Sequence, residues 1–132
     1  MLAAFPLLSL ALLAANLIAL SSATGFGYAL FSITLPSTGS LAISAGDALV
    51  ISSLILLYFE IFKATRTGSA TILDHALSLL VFIIALVEFL ILPRFAHAAF
   101  LALVLMTMID VIAGFTVTIA GARRDFGPVR QE

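Results

Sequence analysis

Four apolar stretches, each close in length to what a bilayer-spanning helix needs, constrain this chain more than any other feature of its sequence. They run from Leu2 to Ser22, Gly46 to Lys63, Ile72 to Leu92 and Ala96 to Ala122. A helix crosses about 30 Å of hydrocarbon with roughly 20 predominantly apolar residues. The third stretch stops at Pro93, whose ring and missing N–H interrupt a helical ladder. The fourth is long enough to require tilt or an extension beyond the lipid.

Composition points the same way. Of 132 residues, 63% are hydrophobic and 10% charged, whereas soluble domains are about 45–50% apolar and about 25% charged. A chain this short leaves a large fraction of its surface exposed, so its own core cannot absorb that excess. Lipid resolves the mismatch, and the length allows one domain, residues 1–132. The first stretch is read as a retained span rather than a cleaved signal, because no Lys or Arg precedes it and it exceeds the usual signal core. The formal net charge of −1 provides no basic field of the kind nucleic acid requires. Cysteine is absent, which removes disulfides, thiolate chemistry and cysteine metal sites together.

Between the first two stretches the texture changes. Phe31–Leu35 and Ser40–Ser44 alternate apolar and polar residues, with Pro36-Ser37-Thr38-Gly39 between them. That pattern predicts a β-hairpin over about 28–44 with a four-residue loop. An isolated hairpin is marginal in water, so the face bearing Phe31, Ile33, Leu35, Leu41 and Ile43 should rest on helix ends, headgroups or a partner protein.

Two helix starts carry chemical marks. Ser44-Ala45-Gly46-Asp47 and Thr71-Ile72-Leu73-Asp74 both have the capping-box spacing, in which a hydroxyl takes an orphan N–H and the acid reaches back. Orientation follows from the basic residues. Lys63 and Arg66 lie in one connection and Arg123, Arg124 and Arg130 in the tail, against Arg94 alone between the last two stretches. Both termini, including the tail 123–132, are therefore expected in the cytoplasm, with the hairpin outside.

Polar and small residues recur at steps of three, four and seven: Ser9 and Asn16; Gly46, Ser53 and Glu60; Asp74, Ser78, Ala85 and Glu88; Thr107, Asp110, Gly114 and Gly121. Such spacing places each set on one helix face. Small residues permit close approach of membrane helices and hydroxyls bond across them, so Gly114, Thr118 and Gly121 read as packing positions. Glu60, Glu88 and Asp110 are harder to assign to packing. An acid at the centre of a membrane helix costs about 2.5–3.5 kcal/mol on insertion scales and marks an ion path, a relay or a partner contact. On the expected topology these acids step inward from Glu88 through Asp110 to Glu60. Asp110, Glu88, Glu60 and Asn16 are the candidate ion-path or partner residues, with structural contact the competing reading. For Glu60 the i,i+3 neighbour Lys63 favours the structural one. Arg94 and His97, just past the turn, do the same for Glu88.

Several motifs fall away in context. Leu35-Pro36-Ser37-Thr38-Gly39 spells a sortase signal, but such a signal precedes a single final span, and here three stretches follow. His75 and His97 are predicted at opposite interfaces, too far apart to share a metal within one chain. Neither a metal nor another cofactor is expected, and no catalytic constellation assembles.

The segment Lys63-Ala64-Thr65-Arg66-Thr67-Gly68-Ser69-Ala70-Thr71-Ile72-Leu73-Asp74-His75 resembles part of an uncharacterised family of small four-helix bacterial inner-membrane proteins, and the resemblance extends through the third and fourth stretches. It implies a bacterial inner membrane and brings no activity.

The expected fold is an all-α membrane protein, a four-transmembrane-helix bundle with an extracytoplasmic hairpin between helices one and two. The expected role is non-enzymatic: an accessory or assembly subunit, homo-oligomeric or bound to a larger membrane complex, with lipid as the other partner. The alternative is a proton or cation pathway along the stepped carboxylates.

Overall fold

The computed structural model describes residues 5–21, 23–65 and 70–125, without the side chains of 70–71 and 121–125. Among these residues four α-helices and one two-stranded antiparallel sheet form: α1 (Leu8–Ser21), β1 (Ala29–Thr34), β2 (Ser40–Ser44), α2 (Ala45–Ala64), α3 (Ala70–Ile91) and α4 (Ala98–Asp125). Short 3₁₀ turns at Gly25–Gly27 and Pro93–Phe95 shape the approaches to β1 and α4. The helix α4 packs against both α2 and α3, and α1 closes the other side against the same two helices.

Among the described residues three helical segments are long and apolar enough to cross a membrane: Ala45–Ala64, Ile72–Ile91 and Ala98–Ala120. Large apolar side chains cover their outer faces, including Ile55, Phe59, Ile83, Leu90 and Ile112, all exposed. That surface is suited to lipid, and the chain is read as an integral membrane protein.

The helix α1 is shorter than its sequence predicts. It starts at Leu8 rather than Leu2, and its 14 residues extend only about 21 Å at 1.5 Å per residue. Pro6 sets that start. Its carbonyl accepts both the Ser9 N–H at 3.1 Å and the Ser9 hydroxyl at 2.6 Å, a tight first turn of the kind common at helix N-termini.

The hairpin forms where it is predicted, with Phe31 opposite Ile43 and Ile33 opposite Leu41. Its loop differs in one detail. Leu35 N–H donates to the Gly39 carbonyl at 2.8 Å and Thr38 N–H to the Leu35 carbonyl at 2.9 Å, so three residues, not four, make the loop. Such a loop places its last residue in the left-handed region, and that residue is Thr38, at φ 65°. At the start of α2, Ser44 and Asp47 form the predicted capping box. The second predicted box is not the start of α3: the backbone is already helical at Ala70, which puts Thr71 inside the helix.

The core divides by height. Near the hairpin, Phe26, Phe95 and Phe100 are almost fully buried and pack ring against ring, with centroids 4.6–6.2 Å apart. Gly46 lets α2 approach this end, since a Cβ there would lie 2.9 Å from the Ala99 Cβ and 3.1 Å from the Phe26 carbonyl. Below the rings, Leu12, Ala15, Leu49, Ala85, Leu103 and Val104 fill the middle.

Candidate functional site

The polar residues of the helices collect into two clusters rather than one stepped column. The larger lies toward the ends of α2 and α3 that face away from the hairpin. Glu60, 1% exposed, accepts the Leu7 N–H at 2.8 Å on one oxygen and Lys63 Nζ at 2.7 Å on the other. Leu7 immediately precedes α1, where amides lack intrahelical acceptors and a negative group is favoured. A carboxylate from α2 thus caps α1. Lys63 Nζ also donates to Asp74 Oδ1 at 2.9 Å and to the Phe5 carbonyl at 2.9 Å, which uses all three ammonium donors. One lysine therefore ties the start of α1, the end of α2 and the start of α3 together.

Asp110 of α4 joins this cluster from the side. It is 5% exposed, the Ser78 side chain is set against its carboxyl, and Glu60, Asp74 and Lys63 all lie within electrostatic reach. The hydroxyls of Ser53 and Thr107 are buried nearby but turn back to their own helices, donating to the Leu49 carbonyl at 2.6 Å and the Val104 carbonyl at 2.7 Å.

His75, near the start of α3, is buried against α4. Its Nε2 lies 2.8 Å from the Thr118 hydroxyl, which in turn donates to the Gly114 carbonyl at 3.0 Å. The imidazole lies against Gly114, where a Cβ would meet it at 2.6 Å. Gly114 thus makes room for a histidine ring. Gly121 falls where only backbone is described.

The second cluster is smaller. Asn16 Nδ2 donates to both Glu88 oxygens at 3.1 Å, and also to the Leu12 carbonyl. This pair joins α1 to α3. Neither Arg94 nor His97 is the partner of Glu88: His97 Nδ1 accepts the Ala99 N–H at 3.1 Å at the start of α4, and its ring stacks on Phe26.

Of the four candidate residues, Glu60 and Asp110 therefore come together, Asn16 and Glu88 come together, and the two pairs remain apart. Ser78 and Glu88 are ten residues apart on α3, about 15 Å along the axis, and the buried residues between them on that helix are Val81 and Ala85. Sequence spacing did not reveal the Lys63–Asp74 bridge. The signal was present in the short connection between α2 and α3, which sets the end of one helix beside the start of the next. Among the described residues no group of three or more His, Asp or Glu side chains is placed to hold a metal. No protein-family model, curated protein or solved structure matches the chain.

Proposed function

We propose that this chain is a four-span protein of a bacterial inner membrane, with both termini cytoplasmic, acting as a non-enzymatic accessory or assembly subunit. Support for the fourth span comes from what α1 touches. Phe5 and Leu7, just before it, meet Lys63 and Glu60 near one end of α2, while Ile18 and Ser21 line a cleft with Ala45 at the other. A segment that accompanies α2 from end to end crosses whatever α2 crosses, and local thinning or tilt accommodates the short length of its helix.

The observation that carries the association is Tyr58. It lies on the outer face of α2, 66% exposed, with Phe59 and Phe62 exposed beside it. Helical side chains lean toward the helix N-terminus, so its phenol is directed deeper into the membrane, away from the nearer headgroups. Lipid tails cannot accept that hydroxyl, whereas a neighbouring helix can. The partner is a second copy or a larger membrane complex. Native mass measurement after gentle extraction tests this reading. The wild-type chain should migrate as an oligomer or co-complex, and Tyr58→Leu should weaken it. A bare monomer in both would overturn the proposal.

A second reading, a proton or cation pathway, is favoured by Asp110, buried with Ser78 beside the ion cluster. Intramembrane acids facing a bundle interior commonly serve such paths. Proton leak through reconstituted vesicles, abolished by Asp110→Asn, would support it, and leak unchanged by that substitution would remove it.

A further inference from the structure

The hairpin bears an apolar face that the other described residues leave largely exposed. Phe31, Ile33 and Leu41 are 55%, 48% and 46% exposed, and the strand register sets Phe31 beside Ile43 and Ile33 beside Leu41 on this face. Ser32, Thr34, Ser40 and Ala42 occupy the other, with Leu30 at the bulge between Ala29 and Phe31. We infer that the apolar face of the hairpin lies in the headgroup–acyl boundary of the bilayer, as a lipid-binding flap beside the helix ends. The inference rests on the membrane-spanning reading of the helices and not on the association through Tyr58.

Three observations select lipid as the occupant. The face is continuous with the lipid-suited surface of the bundle: Leu41 and Ile43 line an open groove of about 490 Å³ together with Asp47, Val50 and Ile51 of α2 and Ala98 and Ala99 of α4. The hairpin itself is also uncharged. The first charged residue in the whole chain is Asp47, and its carboxylate is committed to the Ser44 amide and hydroxyl at 2.9 and 2.6 Å. A surface without charge suits an apolar boundary, and Tyr28 at the base of β1, 55% exposed, belongs to the residue type enriched at that level.

The third observation fixes the depth. A two-stranded sheet has two open edges, and unpaired backbone groups are excluded from lipid-exposed hydrocarbon. The hairpin therefore stops at the boundary, where water still reaches its edges and its polar face. Interfacial elements of this kind commonly bury their apolar side about 5–10 Å into the headgroup–acyl layer.

The chain contains no Trp, so single-tryptophan variants report depth directly. Ile33→Trp and Leu41→Trp sample the apolar face on both strands, and Ser37→Trp samples the loop. Each full-length variant is reconstituted into phosphatidylcholine vesicles carrying bromine at a shallow or a deep acyl position, and iodide is present on both sides. Ile33→Trp and Leu41→Trp should emit to the blue of Ser37→Trp, lose most intensity to the shallow bromines and resist iodide. Quenching by iodide equal to that of Ser37→Trp, without loss to bromolipid, would place the face in water and overturn the inference. Protection from both quenchers would mean that protein covers the face, and would overturn it equally.

Discussion

Gly114 and His75 form a matched pair, and the fit between them makes a sharp prediction. A methyl group at position 114 would lie 2.6 Å from two imidazole atoms, so Gly114→Ala must push the ring away from Thr118. Overpacking of this kind typically costs about 1–3 kcal/mol. Thermal unfolding in detergent should show that loss, and the double variant with His75→Ala should lose less than the sum of the two single changes. Lys63 offers a contrasting case. Lys63→Met leaves two buried carboxylates without their cation, and breaking a buried pair in this way costs about 3–5 kcal/mol. Glu60→Gln keeps an acceptor for Leu7 and should cost less, a ranking that the same unfolding measurement checks. Much of this chemistry was legible in part only. The i,i+3 pairing of Glu60 with Lys63 follows from helix geometry, whereas the further reach of Lys63 to Asp74 and Phe5 depends on how three elements meet. Asn16 and Glu88 were each singled out by their polarity inside apolar helices. Nothing in the spacing of two residues 72 positions apart in the chain could pair them.

Among the elements, the hairpin shows local pattern and local chemistry at odds. Alternation and turn residues placed both strands, yet the left-handed conformation falls on Thr38 while the glycine that would adopt it freely stands one position later, at Gly39. A β-branched residue at positive φ is strained. Thr38→Gly should relieve about 1 kcal/mol of that strain, seen as slower hydrogen exchange of the amides at positions 35 and 38, which close the loop. Faster exchange would mean that the loop is held by something other than its own backbone. The start of α1 makes a related point. The apolar run begins at Leu2, and hydropathy alone extends the helix to that residue. Pro6 and the distant Glu60 carboxylate instead set its first turn near Leu7. The acid lies 53 residues away, beyond any local pattern. For α2 the signals agreed, since Ser44 and Asp47 cap the helix within four residues of sequence.

For the molecule as a whole, hydrophobicity and helix periodicity were sufficient to specify four helices, a hairpin between the first two, and a lipid-suited exterior. What they could not supply is the vertical arrangement of the interior. Aromatic rings close the hairpin end, an apolar layer fills the middle, and a lysine-centred cluster holding Glu60, Asp74 and Asp110 ties the other end, while Glu88 stands apart with Asn16. The four-span topology requires α1 to cross the membrane beside α2 despite its 14 residues. The chain has no cysteine, so single-cysteine variants labelled with a membrane-impermeant maleimide measure this directly. Ser37→Cys should react in sealed cells stripped of any outer wall, while Phe5→Cys and Thr65→Cys should react only after the membrane is opened. Labelling of Phe5→Cys in sealed cells, on the same side as Ser37→Cys, would leave α1 on one face of the bilayer and contradict the four-span account.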